Sequence, residues 1–365
     1  MSKQKIFLAA IFFFGSALTS FSQAVKYSNE FLSIGVSARA QGLGGSVVAQ
    51  VNDVTAGYWN PAGLVLKQGD LQIGLQHAEL FAGILKYDYG AICAPIDATR
   101  AVGLSIIRLA VDDIPDTTEL LDADGNVDYN RIKSFSSADY GFIFTYSKKT
   151  KKEGLRYGAN AKVIHRKAGE FASAWGFGLD AGIQYQKNKW TFGVMGRDIT
   201  STFNAWKFNT DKLATVFAQT GNEIPQNGVE VTLPKLIPGA GYSFKLGKKF
   251  NLITELDADL TFDGKRNVLI KSNAVSVDPH FGFELGFDNL LFLRGGIKNI
   301  QKVENIDASV STIAQPSLGL GLRIKNISLD YAVSNIVQQG DIPYSHIFSL
   351  QFNIIKQKKK VADVK

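Results

Sequence analysis

The chain holds one cysteine in 365 residues, Cys93, so no internal disulfide can form and no cysteine-based metal site is available. It has four histidines, His77, His165, His280 and His346, at no ligand-like spacing. No G-x-S-x-G, HExxH or phosphate-loop run is present. These absences exclude the recognisable hydrolase, zinc-protease and nucleotide signatures, and the expectation is a protein that is not an enzyme and needs no cofactor. Long hydrophobic runs are missing too. The hydrophobic fraction is 45%, yet beyond residue 22 no apolar stretch is long enough for a helical span. The apolar surface must be spread over strands instead. The formal net charge is +7. Its lysines gather in turns rather than on one face, which argues against a nucleic-acid partner.

What the chain does have is alternation. Residues 175–185 place Trp175, Phe177, Leu179, Ala181, Ile183 and Tyr185 on one face, and Gly176, Gly178, Asp180, Gly182 and Gln184 on the other. A strand between lipid and a polar lumen has this period-2 pattern. Fourteen such segments are expected, near 71–79, 83–94, 100–110, 138–148, 154–166, 174–186, 190–197, 235–246, 250–261, 278–287, 291–297, 316–324, 327–335 and 345–355. The fold class expected is all-β, a transmembrane antiparallel barrel with an N-terminal lumenal plug. The expected division is a signal peptide over 1–22, a plug segment over 23–69, the barrel over 70–355 and a basic periplasmic tail over 356–365. Lys3, Lys5, the apolar run Ile6–Phe14 and Ser20-Phe21-Ser22 carry the signal reading. Removal of 1–22 takes away two lysines and no acids, leaving a net charge of 7 − 2 = +5.

The connections are expected to alternate strictly, tight and basic, then long and polar. The tight ones, with 356–360, hold 13 lysines against three acids, whereas 111–137 holds seven acids against Arg131 and Lys133. Charged turns alone would explain solubility but not this separation of sign. The lysine side therefore reads as periplasmic and the acidic side as outward-facing. Tyr87, Tyr89, Tyr146, Tyr185, Trp190, Phe250, Phe292 and Tyr344 fall near strand ends, where a membrane girdle is expected.

Residues 28–64 do not alternate. The run Phe31-Leu32, Ile34-Gly35, Ala38-Arg39-Ala40, Gly42, Gly44-Gly45, then Asn52-Asp53 and Trp59-Asn60-Pro61-Ala62, resembles the start of PorV/PorQ-family outer-membrane proteins, within the wider FadL-like group of fourteen-stranded barrels. Gly63-Leu64 follows where PorV has lysine, which implies a paralogue rather than PorV itself. The resemblance implies a Bacteroidetes-type, Gram-negative outer membrane as location. It also implies docking or handing on of type IX secretion cargo or a surface partner. The alternative from the same group is a FadL-like channel for hydrophobic small molecules. The partners expected are outer-membrane lipid and either secretion components or a hydrophobic ligand. The resemblance implies a lumenal plug, with Phe31, Arg39, Asp53, Trp59, Asn60 and Pro61 as the expected plug residues. Asp53 can cap a helical turn over Val54–Tyr58, and Asn60 before Pro61 suits the start of a second.

Three further groups stand out. Within 198–234 the period turns helical between Thr210 and Gln219, with Thr210 or Asp211 as N-cap. There Leu213, Val216 and Phe217 share one face as a lid that binds a partner or ligand, or that only closes the barrel. Asp122, Asp124, Asn126 and Asp128 surround Gly125 as a weak calcium candidate, with no glutamate at the EF-hand spacing. Glu255, Asp257 and Asp259 share one lumenal face and need counter-charges, and His280 and Glu284 read as a wall pair.

Overall fold

The computed structural model describes residues 28–120, 125–220, 223, 226–304, 309–334 and 345–355. Sixteen strands run as β1 Leu71–Leu80, β2 Leu85–Pro95, β3 Arg100–Asp116, β4 Lys133–Lys149, β5 Leu155–Ala168, β6 Ala172–Lys187, β7 Trp190–Arg197, β8 Thr202–Phe208, β9 Gly228–Thr232, β10 Lys235–Leu246, β11 Phe250–Thr261, β12 Ser276–Phe287, β13 Leu291–Glu304, β14 Val310–Ile324, β15 Ile327–Ser334 and β16 Ser345–Ile354. Fourteen of them, β1–β7 and β10–β16, close an antiparallel barrel. β1 zips to β16 from Leu71↔Ile354, and β7 lies beside β10 from Trp190↔Tyr242. Closure gives each wall strand a ladder neighbour on both sides, the condition for crossing a bilayer with strands.

The pleat decides what faces where. Trp175, Phe177 and Ile183 of β6 are exposed on the outer face, and Asp180 and Gln184 between them are buried. The core of this fold is therefore inside the barrel, built by the N-terminal segment against the inner face of β1–β5, β15 and β16. The tight turn at Asp288-Asn289 has φ of 53° at both residues, the left-handed pair that a two-residue hairpin requires.

Several expectations need correction. Loop length does not alternate strictly, because the outer connections 81–84 and 169–171 are as tight as the inner ones. β3, β4, β13 and β14 also run further outward than their alternation indicates. The cause is a register shift between Val111 and Ile114, and another between Lys298 and Gln301. A bulge inserts a residue, reverses the phase of the pattern and makes a continuing strand read as its end. The connection 198–234 contains a hairpin, β8–β9, which extends the outer part of β6. Tyr87, Tyr89 and Phe292 are buried, not lipid-facing, and Tyr344 lies outside the described residues. The segments 1–22 and 356–365 lie outside them as well. Among the described residues no helix is long and apolar enough to cross a membrane.

Candidate functional site

The segment 28–66 winds through the barrel as short turns and helices: α1 Ala38–Gly42, α2 Ala56–Trp59 and 3-10 turns at Glu30–Ser33 and Pro61–Leu66. Such short pieces cannot satisfy their own backbone groups, so the wall must do it. On β11, Asp257 Oδ2 accepts the N–H groups of Val47 at 2.9 Å and Val48 at 3.0 Å, and Glu255 Oε1 accepts that of Ala49 at 2.6 Å. Gln184 on β6 donates to the carbonyls of Val48 and Val51 at 2.9 and 3.2 Å. Ser147 on β4 donates to the Ala62 carbonyl at 3.0 Å, and Asn160 on β5 to that of Gly57 at 2.8 Å. Close approach needs missing side chains. A Cβ at Gly42 would stand 3.0 Å from Gly319 Cα, and one at Gly296 only 2.2 Å from Gly44 N.

The six expected plug residues all lie in this segment. Asn60 is fully buried, donates to the carbonyls of Val48 (2.9 Å) and Ile183 (3.2 Å), and caps the Pro61 turn by accepting the Ala62 N–H at 3.1 Å. Trp59 Nε1 donates to the Val36 carbonyl at 2.9 Å, and its ring meets Tyr58 edge-on with centroids 4.9 Å apart. Phe31 is buried in the same cluster. Asp53 accepts the N–H and hydroxyl of Thr55 at 2.8 and 2.5 Å, so it closes the turn before α2 rather than capping the helix itself. Arg39 holds Glu284 through two bonds, 2.8 and 3.1 Å, with Asp53 at 4.0 Å. Burial works against the Arg39 charge, but Glu284, then Asp53, more than offset it and raise its pKa. Glu284 in turn holds Arg294 at 2.6 Å, and Arg294 holds Asp330 at 2.7 Å. Glu284 is thus an ion-pair partner of two arginines, not of His280.

Above this floor the lumen opens into an outer cavity of about 840 Å3. Its apolar lining comes from Leu32, Ile34 and Trp59 of the N-terminal segment, from Leu80 on β1 and Ile347 on β16, and from Ile237 on β10. Polar groups on β10–β13 also line it, with Lys235 2.7 Å from Asp259, and His280 3.9 Å from Asp259 and 3.8 Å from Asp278. Arg197 reaches from β7 into the floor, donating to the Tyr58 carbonyl at 3.0 Å with its guanidinium 4.6 Å from the Tyr58 ring centre. Just beyond it, burial pushes the Asp198 carboxyl upward, yet Lys162, the Thr202 hydroxyl and Arg197 together hold it below its ordinary range.

The outer helix α3 covers Thr210–Thr220. Its cap is Asn209, one residue earlier than expected, accepting the Lys212 N–H at 3.4 Å. Leu213 is buried at 8% exposure, and neither Leu213 nor Phe217 lines the cavity. The Val216 side chain lies outside what is described. The residues of this connection that do reach the cavity, Asp198 and Thr232–Pro234, sit at its two ends, where sequence gave no periodic signal. In the acidic loop Asp122 and Asp124 lie outside the described residues. Asp128 accepts the Asn130 N–H at 3.0 Å and pairs with Arg131 at 3.5 Å. Among the described residues no group of three His, Cys, Asp or Glu side chains is placed to hold a metal.

No protein-family model matches the sequence, and no curated protein sequence matches it. Solved structures do match in fold. The chain is similar to the CymD monoaromatic hydrocarbon channel at a TM-score of 0.55 and 13% identity, over 89% of this chain and 99% of that one. It is similar to the Pseudomonas putida toluene transporter TodX (TM-score 0.55, 12% identity, 88% and 98% covered). The Ralstonia pickettii toluene transporter TbuX is alike too (TM-score 0.53, 12% identity, 88% and 98% covered). The fold is therefore that of these solved hydrocarbon-channel and transporter structures. None of the three similar proteins is described as an enzyme; all three are channels or transporters.

Proposed function

We propose that this protein is an outer-membrane channel that admits small hydrophobic molecules, with residues 28–66 acting as the plug beneath its entrance. The observation that carries this reading is the cavity of about 840 Å3 on the outer side, lined in part by the buried apolar side chains Leu32, Trp59, Leu80, Ile237 and Ile347. Such a lining favours an apolar guest by roughly 25 cal/mol for each Å2 it removes from water. The similar structures of hydrocarbon channels support the same direction. The role in type IX secretion implied by the motif over 28–64 comes second, because the apolar lining is enclosed by the barrel rather than offered to a protein.

The test is uptake of isotope-labelled ethylbenzene by Gram-negative cells carrying the protein, compared with Ile237→Glu and with empty cells. Uptake should be faster with the native chain and fall to the empty-cell rate with Ile237→Glu, since a lone buried carboxylate spoils the apolar lining. Equal uptake in all three would refute the channel reading.

A further inference from the structure

The register of the sheet lines up the outward side chains of β11–β15 in rows. In the row nearest the tight turns, Phe250, Phe287, Leu291, Leu322 and Leu329 stand side by side. In the next row Leu285, Leu293, Leu320 and Tyr331 do so. Between them along the strands Arg294 and Asp330 are buried in the lumen, whereas Leu291, Leu293, Leu320 and Leu329 are exposed.

Ring size turns these rows into a trough. Phe250 and Phe287 meet with centroids 5.0 Å apart on one side, and Tyr331 and Phe348 with centroids 4.8 Å apart on the other. Between the two aromatic pairs only leucines stand out from the sheet. Toward the middle of the wall, β13 has Gly295 in the outward phase, and Phe283 Cε1 lies 2.6 Å from where a Cβ would be. Phe283 therefore closes that end. The result is an apolar groove of about 400 Å3 with the turns at its other end.

The turns supply charge. Lys248 and Lys249 lie in the β10–β11 turn and Lys325 in the β14–β15 turn, and all three are exposed. The β12–β13 turn between them adds Asp288, so three ammonium groups face one carboxylate along this rim. Lys249 Nζ stands 5.9 Å from the Phe287 ring centre, beside the groove. The outward positions of a closed barrel that crosses a bilayer meet acyl chains. Lysines at the level of the headgroups favour lipids of negative charge. A second copy of this chain fits the rim badly, because a two-fold contact would bring the same lysines to the same place.

We propose that this groove is a binding site for an anionic phospholipid. An acyl chain lies over Leu293 and Leu320 between the aromatic pairs. The phosphate sits beside Lys249, and Lys248 and Lys325 add to the positive potential around it.

The experiment measures retention of dioleoylphosphatidylglycerol and of dioleoylphosphatidylcholine, which has the same chains, by the detergent-solubilised protein in native mass spectrometry. The native chain should hold one phosphatidylglycerol at a lower lipid concentration than phosphatidylcholine. Lys249→Gln should raise the concentration needed for phosphatidylglycerol about fivefold and leave phosphatidylcholine unchanged. Leu320→Trp fills the trough and should lower retention of both lipids. Leu318→Trp, on the same exposed face of β14 but outside the groove, should not. Heat-dependent gel mobility establishes that each variant barrel is closed. Retention of neither lipid, equal retention of the two, or a loss that Leu318→Trp matches overturns the site. A dimer in place of bound lipid, abolished by Leu320→Trp, overturns the lipid as its occupant. None of these outcomes depends on whether the lumen admits guests, so the uptake reading stands or falls separately.

Discussion

The inner and outer halves of the lumen are built by opposite rules. Below, the wall presents carboxylates, amides and glycines, and the segment 28–66 presents backbone, so polar groups meet and little space remains. Asp257, Glu255 and Gln184 each bind main chain, which lets one strand position hold an irregular turn in place. Above, the wall loses its ladder at β12–β13, its register shifts at two bulges, and side chains from strand ends and loop ends enclose an open volume. The difference teaches that the closed sheet supplies rigidity to both halves, but only the lower half is specified by backbone contacts. The upper half is defined by which side chains are left without strand neighbours, and that is where a guest molecule can be accommodated.

The largest expected effect breaks the lower half. Gly296→Val places a side chain against the Gly44 backbone, where even a Cβ would be 2.2 Å from nitrogen. Overpacking of this kind costs about 1–3 kcal/mol or more. The segment should be displaced, and single-channel conductance in planar bilayers should rise over that of the native protein. An unchanged conductance in a correctly folded variant would count against the plug.

Asp257→Leu sharpens the same comparison with a smaller change. It orphans the N–H groups of Val47 and Val48, each at about 1–3 kcal/mol if left unsatisfied. The temperature at which the heat-dependent gel shift occurs should drop, whereas the same substitution at Asp211 on the outer helix should leave it in place. Equal effects at the two positions would erase the distinction between the halves.

The smallest effect lies outside both. Asp97, in the tight turn between β2 and β3, accepts the Thr99 N–H and hydroxyl at 2.8 Å and an Arg100 bond at 2.6 Å. The Thr99 backbone first, then its hydroxyl and Arg100, hold the Asp97 carboxyl down at about 2. A carboxylate depressed in the folded state contributes its stability in full above about pH 4 and loses it as the pH falls through about 2. Asp97→Asn should therefore be slightly less stable than the native chain at neutral pH, and the gap should close in strong acid. A gap that persists below pH 2 would assign the effect to something other than this charge.

All fourteen wall strands are legible in the sequence, because a strand between lipid and lumen must alternate and nothing in a bilayer relaxes that demand. The burial of the N-terminal segment was legible for a different reason. Phe31, Trp59 and Leu64 are too apolar for a linker, and Asn60-Pro61 announces its own turn. The bulges at Val111/Ile114 and Lys298/Gln301 were not, since an inserted residue looks like the end of a pattern. The β8–β9 hairpin was missed because Thr202-Phe203-Asn204-Ala205-Trp206 changes phase partway. His280 and Glu284 share a strand face, yet tertiary structure sends one to Asp259 and Asp278 and the other to Arg39 and Arg294. Periodicity is a property of one strand in its solvent, so the sequence alone determined the barrel, its strand number and its buried N-terminal segment. Which inner side chains meet depends on the register and closure of the whole sheet, and so the ion-pair chain, the early end of the β12–β13 ladder and the outer cavity were decided only by the tertiary structure.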